Sequence, residues 1–220
     1  MHEIIKKHIT KNRSYKSLIP QGIVVHETAN PGGTAELHYN YFNTADRQAS
    51  AHAFVDWNII LQTIPWDEQA WHAGPYANVR FIGIELCRPS KHDDIKFGAV
   101  WEKGIWLFAH LYVNELNIKE ITEDNLLSHD EIRIRFGGTT HTDPTGYFKE
   151  YGKTVIDFRK DVQNKVNELL NKENDSDKIS DWAKEAWYWV KEKAISDGTR
   201  PKDFVTREEI WTMLYRMGNN

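Results

Sequence analysis

Residues 81–87 read Phe81-Ile82-Gly83-Ile84-Glu85-Leu86-Cys87. An apolar, β-branched run of this length is the pattern of a buried β-strand. It carries a single carboxylate. A buried glutamate is costly unless it is paired or functional, so Glu85 is the most informative residue in the first half of the chain. Cys87 closes the run and reads as a small buried residue. It is the only cysteine, which excludes an intrachain disulfide.

Working outward, residues 22–26, GIVVH, form a second short buried strand. His26 ends it and a Gly-rich loop follows. A histidine at that place is either a satisfied core residue or a functional side chain held on a rigid scaffold. Thr34 caps a helix running to about residue 47, with Leu37, Tyr41 and Ala45 at helical spacing. Residues 50–57 alternate like a half-buried strand and residues 59–64 supply a second, so the two read as a hairpin. Trp71 and His72 sit in a loop. Downstream, residues 101–117 read as an amphipathic helix with Ile105, Phe108, Ala109, Tyr112 and Leu116 on one face. Residues 120–127 suggest a short helical turn. Residues 154–170 form a clear helix with Phe158, Val162, Val166, Leu169 and Leu170 as its apolar stripe. Residues 1–21 are polar, and His2 and His8 read as surface groups. Strands mixed with helices over the first 170 residues imply an α/β domain, with a central mixed β-sheet flanked by helices.

Residues 128–148, SHDEIRIRFGGTTHTDPTGYF, hold His129, a turn at Gly137-Gly138, His141 and Asp143. If the turn folds the segment back, these imidazoles and the carboxylate converge. Histidine nitrogen and carboxylate oxygen suit zinc, which in catalytic sites takes three protein ligands and leaves a position for water. One loop cannot supply the whole set, so a further ligand has to come from elsewhere.

The 220 residues fit one domain of about 150 residues plus a smaller piece. With 40% apolar residues and nine each of Trp, Tyr and Phe, the chain can bury a full core. A net charge of -4 gives no electrostatic footprint for nucleic acid. The first residues hold no apolar stretch suited to a signal peptide or membrane span, which leads to the expectation of a chain made in the cytoplasm. Residues 171–178, NKENDSDK, read as a polar linker. Beyond it helical periodicity returns. Trp182, Ala186, Trp189, Val190 and Ala194 mark one helix, and Thr206 with Glu209 forms a capping box that opens another. So small a piece is expected to lean on its tryptophans for a core.

Over residues 1–170 the chain resembles the zinc-dependent N-acetylmuramoyl-L-alanine amidases, a family that also includes peptidoglycan recognition proteins. The matching pieces are IVVHETA, SAHAFVDW, AWHAG, FIGIELC, the SH of LLSHDEI, and THTDP, in order and spacing. The resemblance implies a peptidoglycan hydrolase that cuts between N-acetylmuramic acid and L-alanine, as an endolysin or autolysin acting on the wall after release. It implies one zinc ion held by His26, His129 and Asp143, with Glu85 as the acidic residue opposite the metal. His141 falls where relatives often have Lys or Thr, a departure in residue type, and its expected role is hydrogen-bond donation to the oxyanion. His52, Trp71 and His72 match groove-lining positions. The alternative is a non-catalytic muropeptide-binding protein, which has no need of all three ligands and Glu85 together.

Residues 179–220 resemble one S-layer-homology motif, a module that holds bacterial proteins on cell-wall polymers. VTREE matches its Thr-Arg-x-Glu signature through Thr206, Arg207 and Glu209. This implies wall-binding residues at Trp182, Thr206, Arg207 and Glu209, with a secondary cell-wall polymer as partner. The family uses three copies and one is present here, so association of chains through this module is a further expectation.

Overall fold

A computed structural model of the chain describes residues 2–176, 179–199 and 201–219. Six strands build one sheet: β1 (Ile4–Lys6), β2 (Gly22–Glu27), β3 (Ala53–Val55), β4 (Ile60–Gln62), β5 (Phe81–Leu86) and β6 (Leu126–Ser128). Their order across the sheet is β1-β4-β3-β5-β2-β6. The expected hairpin is the antiparallel β3–β4 pair; the other pairs are parallel. The mixed sheet with flanking helices is the architecture expected from the sequence.

Side chains alternate across a strand, which gives the sheet two distinct faces. On one face Val24, Phe81 and Leu127 pack with Ala77 of α2 (Gly74–Asn78) and Ile132 of α4 (His129–Phe136). Phe54 and Leu61 on the same side meet Ala35 of α1 (Ala35–Thr44). On the other face Leu86 lies close over Gly104 of α3 (Asp94–Asn114), where an added Cβ would also approach Phe158. Phe158 belongs to α6 (Val155–Ser176) and meets the rings of Trp101, Phe108 and Phe148, the last from α5 (Thr145–Glu150). His26 and Glu85 share the first face.

Four local readings change. Thr34 does cap α1, accepting from Leu37 N at 3.3 Å, but Leu37 and Tyr41 point outward and Ala35 and His38 are buried. α3 starts at Asp94, capped by Asp93, well before residue 101. The helical turn expected over 120–127 is a turn at 123–125 followed by β6. The polar N-terminal stretch contributes edge strand β1.

The chain divides into two compact units, Met1–Asn167 and Glu168–Asn220. The proposed linker is not structureless where it is described: residues 171–176 continue α6, since Asn, Lys and Glu without Gly or Pro extend a helix already nucleated. Residues 177 and 178 lie outside the described residues. The second unit contains a 3₁₀ turn (Asp181–Ala183), α7 (Lys184–Glu192) and α8 (Arg207–Asn219). Its tryptophans do not fill a core: Trp182 is 88% exposed and Trp211 63%, while Ile195 is buried. Among the described residues no helix is long and apolar enough to cross a membrane.

Candidate metal centre and active site

In the parallel part of the sheet, functional groups gather at the carboxyl ends of the strands, the usual ligand side of open α/β sheets. His26 is the fifth residue of β2 and Glu85 the fifth of β5. His129 is the first residue of α4, directly after β6. Ser128 caps that helix: its Oγ accepts from Glu131 N at 3.1 Å and Glu131 Oε2 accepts from Ser128 N at 2.8 Å. This capping box fixes the backbone that presents His129. The return of the chain to Asp143 uses positive φ at Gly137 and Gly138, a conformation glycine adopts without strain. Asp130 N then donates to Asp143 O at 3.3 Å, pinning the segment against the start of α4.

The three expected ligands converge. His26 Nδ1 lies 3.0 Å from Asp143 Oδ2, and His129 Nδ1 lies 3.0 Å from Asp143 Oδ1. One donor atom from each residue falls within 4.8 Å of the others, and among the described residues this is the one such cluster. Two imidazoles and a carboxylate, three donors with no thiolate, match an open catalytic zinc site and not a closed structural one. Burial pushes the Asp143 carboxyl up, but the ring nitrogens of His129 and His26 beside it outweigh that and hold the group well below its usual range. Burial lowers His26 despite the opposing Asp143. A carboxylate beside two imidazole nitrogens is a donor set suited to a divalent cation.

Glu85 is half-buried in the same cleft, and its Oε2 is shut off from solvent with no hydrogen-bond partner. Burial, then Asp143 and Glu27, raise its carboxyl well above the ordinary range. A carboxyl so placed is a candidate acid–base group. The cleft has a volume of about 430 Å³ and is bordered by Trp71, Phe54, Thr139 and His141 as well as the cluster.

The remaining candidates separate. His141 is outside the ligand cluster: its side chain is 69% exposed, its Nδ1 is 3.9 Å from Asp143, and its ring stacks on His129. Trp71, 37% exposed, does line the cleft. His52 does not. It is fully buried, its Nε2 is 2.8 Å from Glu68 O, and its Nδ1 accepts from Gly83 N at 2.9 Å. It is a satisfied core histidine. His72 borders the cleft, but both its nitrogens turn inward, Nδ1 to His26 Nε2 and Nε2 to Phe81 O, each at 3.0 Å. It has no free polar atom for a substrate.

Two cleft residues escaped sequence reasoning. Thr139 Oγ1 sits 2.7 Å from His129 Nε2. Its neighbour Thr140 is the same residue type, so nothing in GGTTH singles it out. His38, at one buried face of α1, stacks on Phe54 and leaves Nε2 without a partner; burial pushes it down to about 4. In the second unit, the Thr206–Glu209 pair of the expected wall-binding signature is occupied with itself: Glu209 Oε2 accepts from Thr206 N at 2.8 Å and Thr206 Oγ1 at 3.0 Å.

The chain is 37% identical over 147 residues to Protein Ami of Listeria monocytogenes, covering 63% of this chain and 15% of that protein. It is 34% identical over 144 residues to a bifunctional autolysin of Staphylococcus epidermidis, covering 63% and 11%. The matched region thus spans less than a sixth of the length of these curated relatives. The solved catalytic domain of XlyA superposes with a TM-score of 0.59 at 28% identity, covering 73% of this chain and 99% of that one. Residues 16–146, which carry His26, Glu85, His129 and Asp143 and make up more than half of the chain, match the family described as N-acetylmuramoyl-L-alanine amidase, and the chain belongs to that family.

Proposed function

We propose that this chain hydrolyses the amide between the lactyl group of N-acetylmuramic acid and the L-alanine of the peptidoglycan stem, with one zinc ion held by His26, His129 and Asp143. A zinc ion at three protein ligands lowers the pKa of a bound water to about 7 and polarises a carbonyl. The chain's own residues do the rest. In its ionised form Glu85 takes a proton as water oxygen bonds to the amide carbon, and it delivers that proton to the nitrogen as the carbon–nitrogen bond breaks. The products are a lactyl carboxylate and a free L-alanine amino group. His141, at the rim, offers a ring N–H to the carbonyl oxygen as it gains charge. Trp71 gives a flat apolar wall for the sugar–peptide chain.

The observation that carries this reading is Glu85, whose Oε2 lies unpartnered and out of solvent in the cleft of the three-donor cluster. A protein that only binds muropeptides has no use for such a group. The test is mass spectrometry of digested cell walls. New amino termini on L-alanine support the reading. Cleaved sugar bonds, or walls bound and left intact, refute it.

For the second unit we propose wall attachment through an S-layer-homology-like surface. Supporting this are the resemblance of residues 179–220 and the exposed Trp182, Trp189 and Trp211, flat apolar groups suited to a saccharide polymer. Thr206 and Glu209 then shape the helix start that presents Arg207 and do not contact the polymer themselves. Pairing with another chain through this unit completes the surface.

A further inference from the structure

We propose that His72 is a positioning residue that fixes the tautomer of His26 and so sets which nitrogen of that ring meets the metal. The inference rests on the metal reading above and deepens it.

Phe81 O can only accept, and His72 Nε2 lies 3.0 Å from it. The hydrogen of a neutral His72 ring is therefore on Nε2, and Nδ1 presents a lone pair. His26 Nε2 is 3.0 Å from that lone pair and has to supply a hydrogen to it. His26 Nδ1 is then left as a lone pair, directed at the side occupied by Asp143 and His129. The chain Phe81 O, His72, His26 runs in one direction and ends in a metal-ready nitrogen. A divalent cation held by this cluster would take that nitrogen together with the Asp143 carboxylate.

The position of the ring is built, not incidental. Asn78 Oδ1 accepts from both His72 N and Ala73 N at 2.9 Å, which fixes the backbone of the loop. On β5, Gly83 provides the space for the ring: a Cβ there would stand 2.4 Å from His72 Cγ. His129 has the matching arrangement, with Nε2 against Thr139 Oγ1 and Nδ1 toward Asp143. Each proposed histidine ligand thus carries an outer partner on its far nitrogen, the arrangement that orients metal-bound imidazoles generally.

The test uses the full chain and zinc chloride, with affinity read by competition against a chromophoric chelator. His72→Phe keeps a flat ring and removes the acceptor. His72→Asn places an amide oxygen near the position of Nδ1 and keeps one. We expect His72→Phe to weaken zinc binding by roughly 10- to 100-fold and His72→Asn to recover most of it, with the melting temperature of the metal-free protein measured alongside. Long-range ¹H–¹⁵N spectra of the zinc-loaded, unmutated chain should show His26 protonated at Nε2 and metallated at Nδ1. A folded His72→Phe that binds zinc as tightly as the parent overturns the inference alone, as does a His26 protonated at Nδ1. If His72→Phe does not fold, the spectrum of the unmutated chain decides. A parent that binds no zinc overturns the metal reading itself.

Discussion

Glu85 stands directly opposite His26 in the parallel register of β5 and β2. One backbone register therefore places the proposed proton carrier beside the first proposed metal ligand on the same face of the sheet. A slip of one residue would turn Glu85 to the far face, among the side chains that meet α3 and α6. Strand pairing thus sets the His26–Glu85 pair, while His129 comes from the start of α4 and Asp143 from the segment that follows it.

The first prediction concerns Glu85→Gln. Zinc content should be unchanged and amidase activity on muropeptides should fall by roughly 10²-fold or more, the size of a lost general base. Stability should respond too. Because burial raises the Glu85 carboxyl in the folded state above its ordinary value of 4.5, the folded chain holds a proton that the unfolded chain releases. Stability of the metal-free parent is then lost progressively as pH rises from about 4.5 through the raised value. The glutamine variant lacks that slope, so its melting temperature should gain on the parent between pH 4 and pH 8. An equal offset at both pH values would show that Glu85 is not held neutral.

The second prediction is that His26→Ala and Asp143→Ala each abolish tight zinc binding, measured as metal content after dialysis, while the parent holds about one ion per chain. Chelation should stop activity, and added zinc should restore it. Either variant retaining full zinc would remove that residue from the ligand set.

Much of this was legible in the sequence. The apolar runs of β2 and β5, the hairpin and the Thr34 cap depend on local pattern, whereas the grouping of His26, His129 and Asp143 came only from the family resemblance, and the three side chains do converge. What was lost depends on partners far along the chain. β1 and β6 have three residues each, too few to show a period. His38 faces inward where Leu37 and Tyr41 were expected, because its ring stacks on Phe54. His52 and His72 look alike in sequence, and only Glu68 O and His26 reveal one as core and the other as a neighbour of a proposed metal ligand. The tryptophans of the second unit, expected inside, are mostly outside.

The third prediction separates His141 from the ligands. Its exposed ring stacks on His129 at 5.0 Å without joining the cluster. His141→Ala should keep the zinc and lower turnover. Loss of zinc instead would make it a ligand and put Asp143 in question.

A fourth prediction addresses the far face of the sheet. Phe158 is fully buried against Trp101, Phe108 and Phe148. Phe158→Ala should cost about 3–5 kcal/mol in denaturant unfolding, with zinc affinity of the folded fraction unchanged. A loss below 1 kcal/mol would mean that this cluster does not carry the packing of α3 and α6.

The last prediction concerns the division of labour along the chain. All four proposed metal and acid–base residues lie within Met1–Asn167, whereas the exposed tryptophans 182, 189 and 211 lie beyond it. Stopping the chain after Ser176 keeps α6 whole, together with the buried Phe158, Val162 and Val166 that anchor it. The shortened chain should then fold, bind zinc and cleave soluble muropeptides at the parental rate. What it should lose is co-sedimentation with intact cell walls, and with it the advantage in rate on insoluble substrate, since attachment raises the local concentration of enzyme at the wall without changing the chemistry. Trp182→Ala with Trp211→Ala in the full chain should reproduce that loss without any truncation. If the shortened chain sediments with walls as well as the parent, attachment belongs to the first unit. If it unfolds or loses zinc, the second unit supports the enzyme's structure, and wall attachment is not its separable role.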